Sequence, residues 1–128
     1  MLPAVNKNEL ALLFQEADVG LQILRDIPAF YYGTSPNKFF DYLACGLPVL
    51  TNYPGWIAEI IEKARCGIAV QASDPQSFGE KLLTLQSDPN LLREMSKRAS
   101  DTAIKQYSWE TMSGQWLSFV ADKAFVEQ

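Results

Sequence analysis

Hydrophobic residues in this chain recur with two different spacings, and the switches between them mark its elements. Over residues 7 to 16, Leu10, Leu13 and Phe14 fall at i, i+3 and i+4, which predicts a short amphipathic helix. Asp18 to Leu24 is then short and apolar enough for a buried strand. A loop rich in turn formers runs from Pro28 to Pro36. Its Ser35-Pro36 reads as a helix N-cap followed by proline at the first helical position. The helix begun there runs to about Cys45, with Phe40, Leu43 and Ala44 on its buried face, and Gly46 stops it. Leu47 to Thr51 is a second apolar strand and Asn52 to Gly55 a turn. Behind that turn Ile57, Ile60, Ile61 and Ala64 form a helical stripe. Gly67 is expected to end that helix, and Ile68 to Val70 to form a third strand.

Helix and strand alternate three times at this spacing, which predicts a parallel sheet with helical crossovers, an α/β fold. Beyond the third strand the chain reads as all helical. Asp74-Pro75 and Asp88-Pro89 each place an acidic cap before a proline in the first turn. The first starts a helix through Phe78, Leu82 and Leu85, the second one through Leu92, Met95, Ala99 and Ala103. Ser108 caps the last helix, whose stripe is Trp109, Met112, Trp116 and Val120. No linker or repeat divides the chain, so residues 1 to 128 read as a single partial domain. Doubly wound nucleotide folds use about six strands in two halves, and this sequence supplies one half of about three. An unpaired strand edge is adhesive, so the first helix, or a second copy of the chain in self-association, is expected to cover it.

Charge and composition narrow the chemistry. A net charge of −4 with a pI near 4.7 repels phosphate backbones, which argues against a nucleic-acid partner. No apolar run approaches the roughly 18–20 residues that span a bilayer, and no signal peptide opens the chain. The expected location is cytoplasmic, peripheral to the inner membrane if parts outside this sequence bring it there. The chain holds no histidine. That removes Ser-His and Cys-His nucleophile pairs, histidine bases and most zinc sites, so no metal site is expected. Cys45 and Cys66 lie far apart beside glycines and read as small buried thiols.

In an open parallel sheet, ligands collect beyond the C-terminal ends of the strands. Three loops qualify: residues 25–37, 52–56 and 71–74. In the first, Gly33, Thr34, Ser35 and Pro36 run directly into a helix start, where free N–H groups and the helix dipole favour an anion. Gly33 lets the backbone approach such a ligand. Lys38 adds a full positive charge in the first turn. Asn37, Lys38 and Asp41 share one face, and a diphosphate on the helix start would bring its ribose near the Asp41 carboxylate. The plainer alternative is an ordinary Ser-Pro helix start with a Lys38–Asp41 surface ion pair worth a few tenths of a kcal/mol.

The run Ser35-Pro-Asn-Lys-Phe-Phe-Asp-Tyr-Leu-Ala-Cys-Gly-Leu-Pro-Val-Leu50 resembles the signature of the family 4 glycosyltransferases of the GT-B class. The likeness continues through Gly55-Trp-Ile-Ala-Glu-Ile-Ile61, Cys66-Gly-Ile-Ala-Val70, the two Asp-Pro helix starts and Tyr107-Ser-Trp-Glu110. It implies the nucleotide-sugar-binding half of a GT-B C-terminal domain. It implies a donor that is a nucleotide-diphosphate sugar, UDP-linked by expectation, and transfer with retention of configuration, without a bound cofactor. Of the family's Glu-x7-Glu pair, the second position falls on Asp41, which would hold the ribose hydroxyls. The first falls on Gly33, which carries no side chain for the sugar. Thr34 and Ser35 would present backbone N–H groups to the phosphates or sugar. Glu59 reads as structural, and Trp56 as a flank to the donor sugar or a cover for the core. Within the family, the likeness is greatest to bacterial surface-polysaccharide enzymes such as L-fucosamine transferases.

The resemblance also implies an acceptor-side domain upstream, which would bring a glycan or lipid-linked acceptor and the cations set against the leaving diphosphate. This chain supplies no catalytic residue of its own and is expected to bind a donor better than it catalyses. The alternative of another class is a non-catalytic Rossmann-like interaction module. A sugar-nucleotide epimerase of the same shape is disfavoured by the missing histidine.

Overall fold

The computed structural model describes residues 4–124. Its elements are α1 (Lys7–Gln15), β1 (Gly20–Gln22), α2 (Ala29–Gly33), α3 (Asn37–Ala44), β2 (Val49–Thr51), α4 (Trp56–Ala64), β3 (Gly67–Ala69), α5 (Pro75–Ser87), α6 (Pro89–Tyr107) and α7 (Trp109–Ala124). The strands form one parallel sheet in the order β1-β2-β3, with Gly20 opposite Val49 and Val49 opposite Gly67. This is the α/β architecture the alternation predicts, half of a Rossmann-like doubly wound sheet followed by a helical run. No helix among the described residues is long and apolar enough to cross a membrane.

The central strand β2 is buried throughout, as a parallel strand covered on both faces must be. Val49 and Tyr53 enter a core with Phe39 and Leu43 of α3, Ile57 and Ile61 of α4, Ala99 of α6, and Cys66 just before β3. Leu50 points to the opposite pleat and is also fully buried. The Asp-Pro devices work as predicted. The Asp74 carboxylate accepts from Ser77 N at 2.9 Å, and that of Asp88 from Asn90 N and Leu91 N at 3.1 and 3.0 Å. Ser108 accepts from Thr111 N at 3.2 Å and starts α7.

Several local expectations change. Residues 29–33, expected as loop, coil into α2, with Pro28 at its N-cap, where the missing N–H costs nothing. Helix α3 starts at Asn37, so Pro36 occupies the N-cap and Ser35 makes no capping bond. That start turns Phe39 and Leu43 inward. Phe40 instead joins an aromatic cluster, 6.1 Å from the Trp56 ring and 5.1 Å from Tyr107, while Ala44 is exposed. The left-handed residue closing α4 is Arg65, at φ 52°, and Gly67 is the first residue of β3. In α1 the inward residues are Leu10, Ala11 and Phe14, not Leu13. An Asn6–Glu9 capping box, both bonds 3.0 Å, fixes its start. The α7 stripe faces solvent, with Trp109 81% and Trp116 64% exposed.

Helix α2 is held from two sides. Gly55 lies so close beneath it, at φ 111°, that a side chain there would strike the Tyr31 carbonyl. The Tyr31 hydroxyl donates to Asp26, whose other oxygen accepts from Ser73 at 2.9 Å. Those two bonds, Tyr31 first, hold the Asp26 carboxyl below its usual range.

Three outcomes follow from this geometry. Gly55→Ala should cost about 2–3 kcal/mol in urea unfolding, through backbone strain and the collision with Tyr31. Gly33→Ala has nothing within 4 Å to strike. It should leave stability unchanged or raise it by up to about 1 kcal/mol. Tyr31→Phe should move the Asp26 carboxyl titration, followed by NMR, back up toward the ordinary aspartate value. The folded value is the lowered one, so this contact stabilises the fold above the ordinary carboxylate range. Its contribution fades as pH drops through the folded value, and the variant should show less acid sensitivity there.

Candidate functional site

The six residues singled out by sequence lie along one path, from the end of α2 through the first turns of α3. Gly33 is the exposed last residue of α2. Its surroundings would admit a side chain, so neither space nor backbone angle demands glycine there. Thr34 is extended and half-buried. Its hydroxyl donates to Phe30 O at 2.7 Å, and its carbonyl accepts from the Trp56 indole N–H at 2.8 Å. These bonds consume the side chain and carbonyl of Thr34 in holding the loop still.

Ser35, Asn37 and Lys38 are exposed. Because Pro36 caps α3 without a side-chain hydrogen bond, no protein oxygen from a cap occupies the helix start. Phe39 N turns back to Pro36 O at 3.0 Å, which leaves the opening at Asn37 and Lys38. An uncapped, exposed amide end beside a lysine is suited to an anion.

Asp41 lies one turn further along and faces α1. Its ion-pair partner is Lys7 of α1, with Nζ 3.4 Å from Oδ1, rather than the Lys38 that spacing allows. Lys7 is 85% exposed and Asp41 32%, so the pair is well solvated and worth about 0–1 kcal/mol. The carboxylate stands at the mouth of a groove of about 250 Å³ between α1 and α3. Leu10, Ala11 and Phe14 line one wall, Ala44 and Cys45 the other, and Lys7, Asn8 and Asp41 make the mouth polar. Phe14 packs edge-on against Tyr42 at 5.0 Å, which seats α1 on α3.

The three loops at the strand ends are joined, Ser73 to Asp26 and Trp56 to Thr34, but the α3 start lines none of the cavity beside them. Beyond the carboxyl ends of the strands lies a separate cavity of about 240 Å³, lined by Ile23, Asn52, Ser73, Asp74, Pro75 and Phe78. Its polar groups are already engaged. Asn52 bonds both the N–H and the carbonyl of Leu24, each at 2.9 Å, in imitation of a strand neighbour. Asp74 caps α5, and Ser73 holds Asp26. Glu59 accepts from the Tyr32 hydroxyl at 2.7 Å, a bond that ties α4 to α2 and fits the structural reading of this acid.

Neither cysteine is a reactive thiolate. Burial raises both, Cys66 to about 11, and the Asp41 charge adds to the effect on Cys45. Among the described residues no cluster of three or more His, Cys, Asp or Glu could hold a metal ion. The contributions sequence reasoning missed are Lys7 and the α1 wall. The apolar spacing of Leu10 and Phe14 and the Asn6–Glu9 capping box signal the helix without revealing what it packs against.

Two comparisons bear on this geometry. A family profile described as "Glycosyl transferase-like" matches residues 1–118. N-acetyl-alpha-D-glucosaminyl L-malate synthase of Bacillus anthracis is 26% identical over 82 residues, which is 64% of this chain and 22% of that protein. The chain thus corresponds to a fraction of that relative's length. With a parallel three-stranded sheet, the predicted order of strands and helices, and a family match over nearly all of its residues, the chain belongs to the glycosyl transferase-like family.

Proposed function

We propose that this chain is the donor-binding part of a retaining, GT-B, family 4-like glycosyltransferase. The observation that carries the reading is the open start of α3, with Asp41 one turn below it on a groove of nucleoside size. The diphosphate of a nucleotide sugar sits on the Asn37 and Lys38 amides, with Thr34 and Ser35 beside it and the Lys38 ammonium adding charge. Gly33 leaves room for the backbone to approach. One helical turn is about 5.4 Å, close to the step from a phosphate to its ribose, so the ribose hydroxyls reach Asp41. The base enters the apolar slot between α1 and α3. To receive the ribose, Asp41 releases or shares Lys7, at a cost of at most about 1 kcal/mol.

Helix amides do the phosphate work, so no cofactor or metal is required. A UDP-linked amino sugar is the donor we favour. The N-acetyl-alpha-D-glucosaminyl group in the relative's name and the likeness to L-fucosamine transferases both point that way. The acceptor, a glycan or lipid-linked glycan of bacterial surface polysaccharide, meets this domain through further parts of the parent enzyme on the cytoplasmic side. The present residues bind and orient the donor. Charge on a departing diphosphate needs preorganised cations, and Lys38 alone is a thin supply. The exposed aromatic stripe of α7 favours a second reading, a non-catalytic module whose helices serve protein contacts.

Titration of the chain with UDP, GDP and ADP, followed by amide NMR, separates the two. Shifts should cluster at residues 33–41 and along α1, with UDP strongest. Asp41→Ala and Lys38→Ala should each weaken binding about 5- to 10-fold while leaving the remaining spectrum intact. Absence of shifts in that region up to about 10 mM nucleotide, the reach of a site worth some 3 kcal/mol, would sink the donor reading. Turnover of a UDP-sugar by the isolated chain should be negligible.

A further inference from the structure

A larger groove lies between α4 and α6, with Phe40 of α3 packed on its Trp56 and Tyr107 rings. It is a groove of about 420 Å³, within the ordinary range for small-molecule sites. Trp56, Ile60 and Tyr107 give it an apolar wall, and Glu59, Lys63 and Gln106 a polar rim. It continues into a shallower hollow of about 180 Å³ that shares Ala64, Thr102 and Gln106 with it and ends at Arg98, Asp101 and Lys105. Together they make a furrow along two helices, longer than one small ring needs.

Charge along this furrow nearly cancels once Glu94, which lies outside the lining and pairs with Arg98, is counted. Glu59 and Lys63 sit four apart on α4, Lys105 pairs with Asp101 at 3.5 Å, and Arg98 with Glu94 at 3.1 Å. Such a surface has no net field to attract a phosphate or a polyanion. It suits a ligand that is neutral, rich in hydroxyls on its edges and apolar on its faces. A pyranose has that character. Its C–H face packs on aromatic rings, and its hydroxyls bond to carboxylate, ammonium and amide together.

The furrow also touches the donor loop. The indole of Trp56 lines its upper end while donating its N–H to Thr34 O, so one indole separates the groove from the chain leading into α3. We propose that the α4–α6 furrow binds a neutral oligosaccharide lengthwise, with one end at Trp56. The site stands on the furrow's own chemistry. Its assignment as the seat of the growing glycan rests on the donor reading of α3.

The test is an amide and indole NMR titration of the whole chain with maltotriose, cellotriose and chitotriose, beside a UDP titration. Binding of at least one trisaccharide should shift the Trp56 indole N–H, Ile60 and Gln106 and leave Asn37, Lys38 and Asp41 in place. Gln106→Leu, an exposed change that spares the fold, should weaken that binding at least about threefold, the loss of one hydrogen bond. Lack of any shift in the furrow with all three sugars overturns the proposal, whatever UDP does. So does trisaccharide binding confined to the α3 start. Furrow shifts in a chain that ignores UDP would uphold the sugar site while removing its link to a donor.

Discussion

The segment from Asn52 to Glu59 holds the rest of the site in place. It leaves the central strand, turns, and grips the β1–α3 connection at successive points. Asn52 extends the sheet by bonding both backbone groups of Leu24. Tyr53, fully buried, accepts from Gln22 Nε2 at 3.1 Å. Gly55 lets the Tyr31 backbone pass at a distance no other residue permits. Trp56 and Glu59 then bond to Thr34 O and the Tyr32 hydroxyl. A connection of this length would otherwise be a mobile surface loop. Gripped in this way, it delivers the first turn of α3 to a fixed place without spending any residue of that turn.

This division of labour explains why the helix start stays open. A helix end normally recruits a side chain to its free amides, and α1, α5, α6 and α7 all do so. The start of α3 is uncapped, as are those of α2 and α4, with proline at its N-cap and no capping bond from Ser35. An uncapped start forgoes about 1 kcal/mol of helix stability. Burial of Phe39 and Leu43, each able to contribute about 1.5–3 kcal/mol, more than offsets that loss. Stability thus comes from the inward face of α3, and its amide end is left available.

What was legible in sequence divides along the same line. The sheet, its parallel order and the Asp-Pro helix starts follow from local spacing, because burial of a strand or capping of a helix is decided by residues a few positions apart. The Ser35-Pro36 reading failed by one residue. Local propensity favours Ser35 as a cap, but the Trp56–Thr34 bond holds the preceding chain extended and moves the start to Asn37. Helix α2 was missed for a related reason. Its turn formers read as loop, and contacts with Gly55, Asp26 and Glu59, between 5 and 27 residues away, decide otherwise. Asp41 lies one turn beyond the helix start, as its spacing requires, but its partner Lys7 is 34 positions away. No window of local sequence contains that pairing.

The Lys7–Asp41 contact in turn bears on how such a site is kept ready. A carboxylate left alone beside an apolar slot would be fully hydrated and mobile. One locked in a buried ion pair would be unavailable, since separating such a pair costs several kcal/mol. The observed contact lies between these limits: 3.4 Å long, with the ammonium almost wholly in solvent. It orders the Asp41 side chain toward α1 at little energetic cost, and hydroxyl groups of a ligand can replace it almost evenly. The polar mouth is built by joining two helices, so Asp41 keeps this geometry only while α1 stays seated through Phe14 on Tyr42. Under the donor reading, a ligand at the mouth would exchange the Lys7–Asp41 contact for contacts of its own with both helices, and the seating of α1, a helix without a single fully buried residue, would follow that balance.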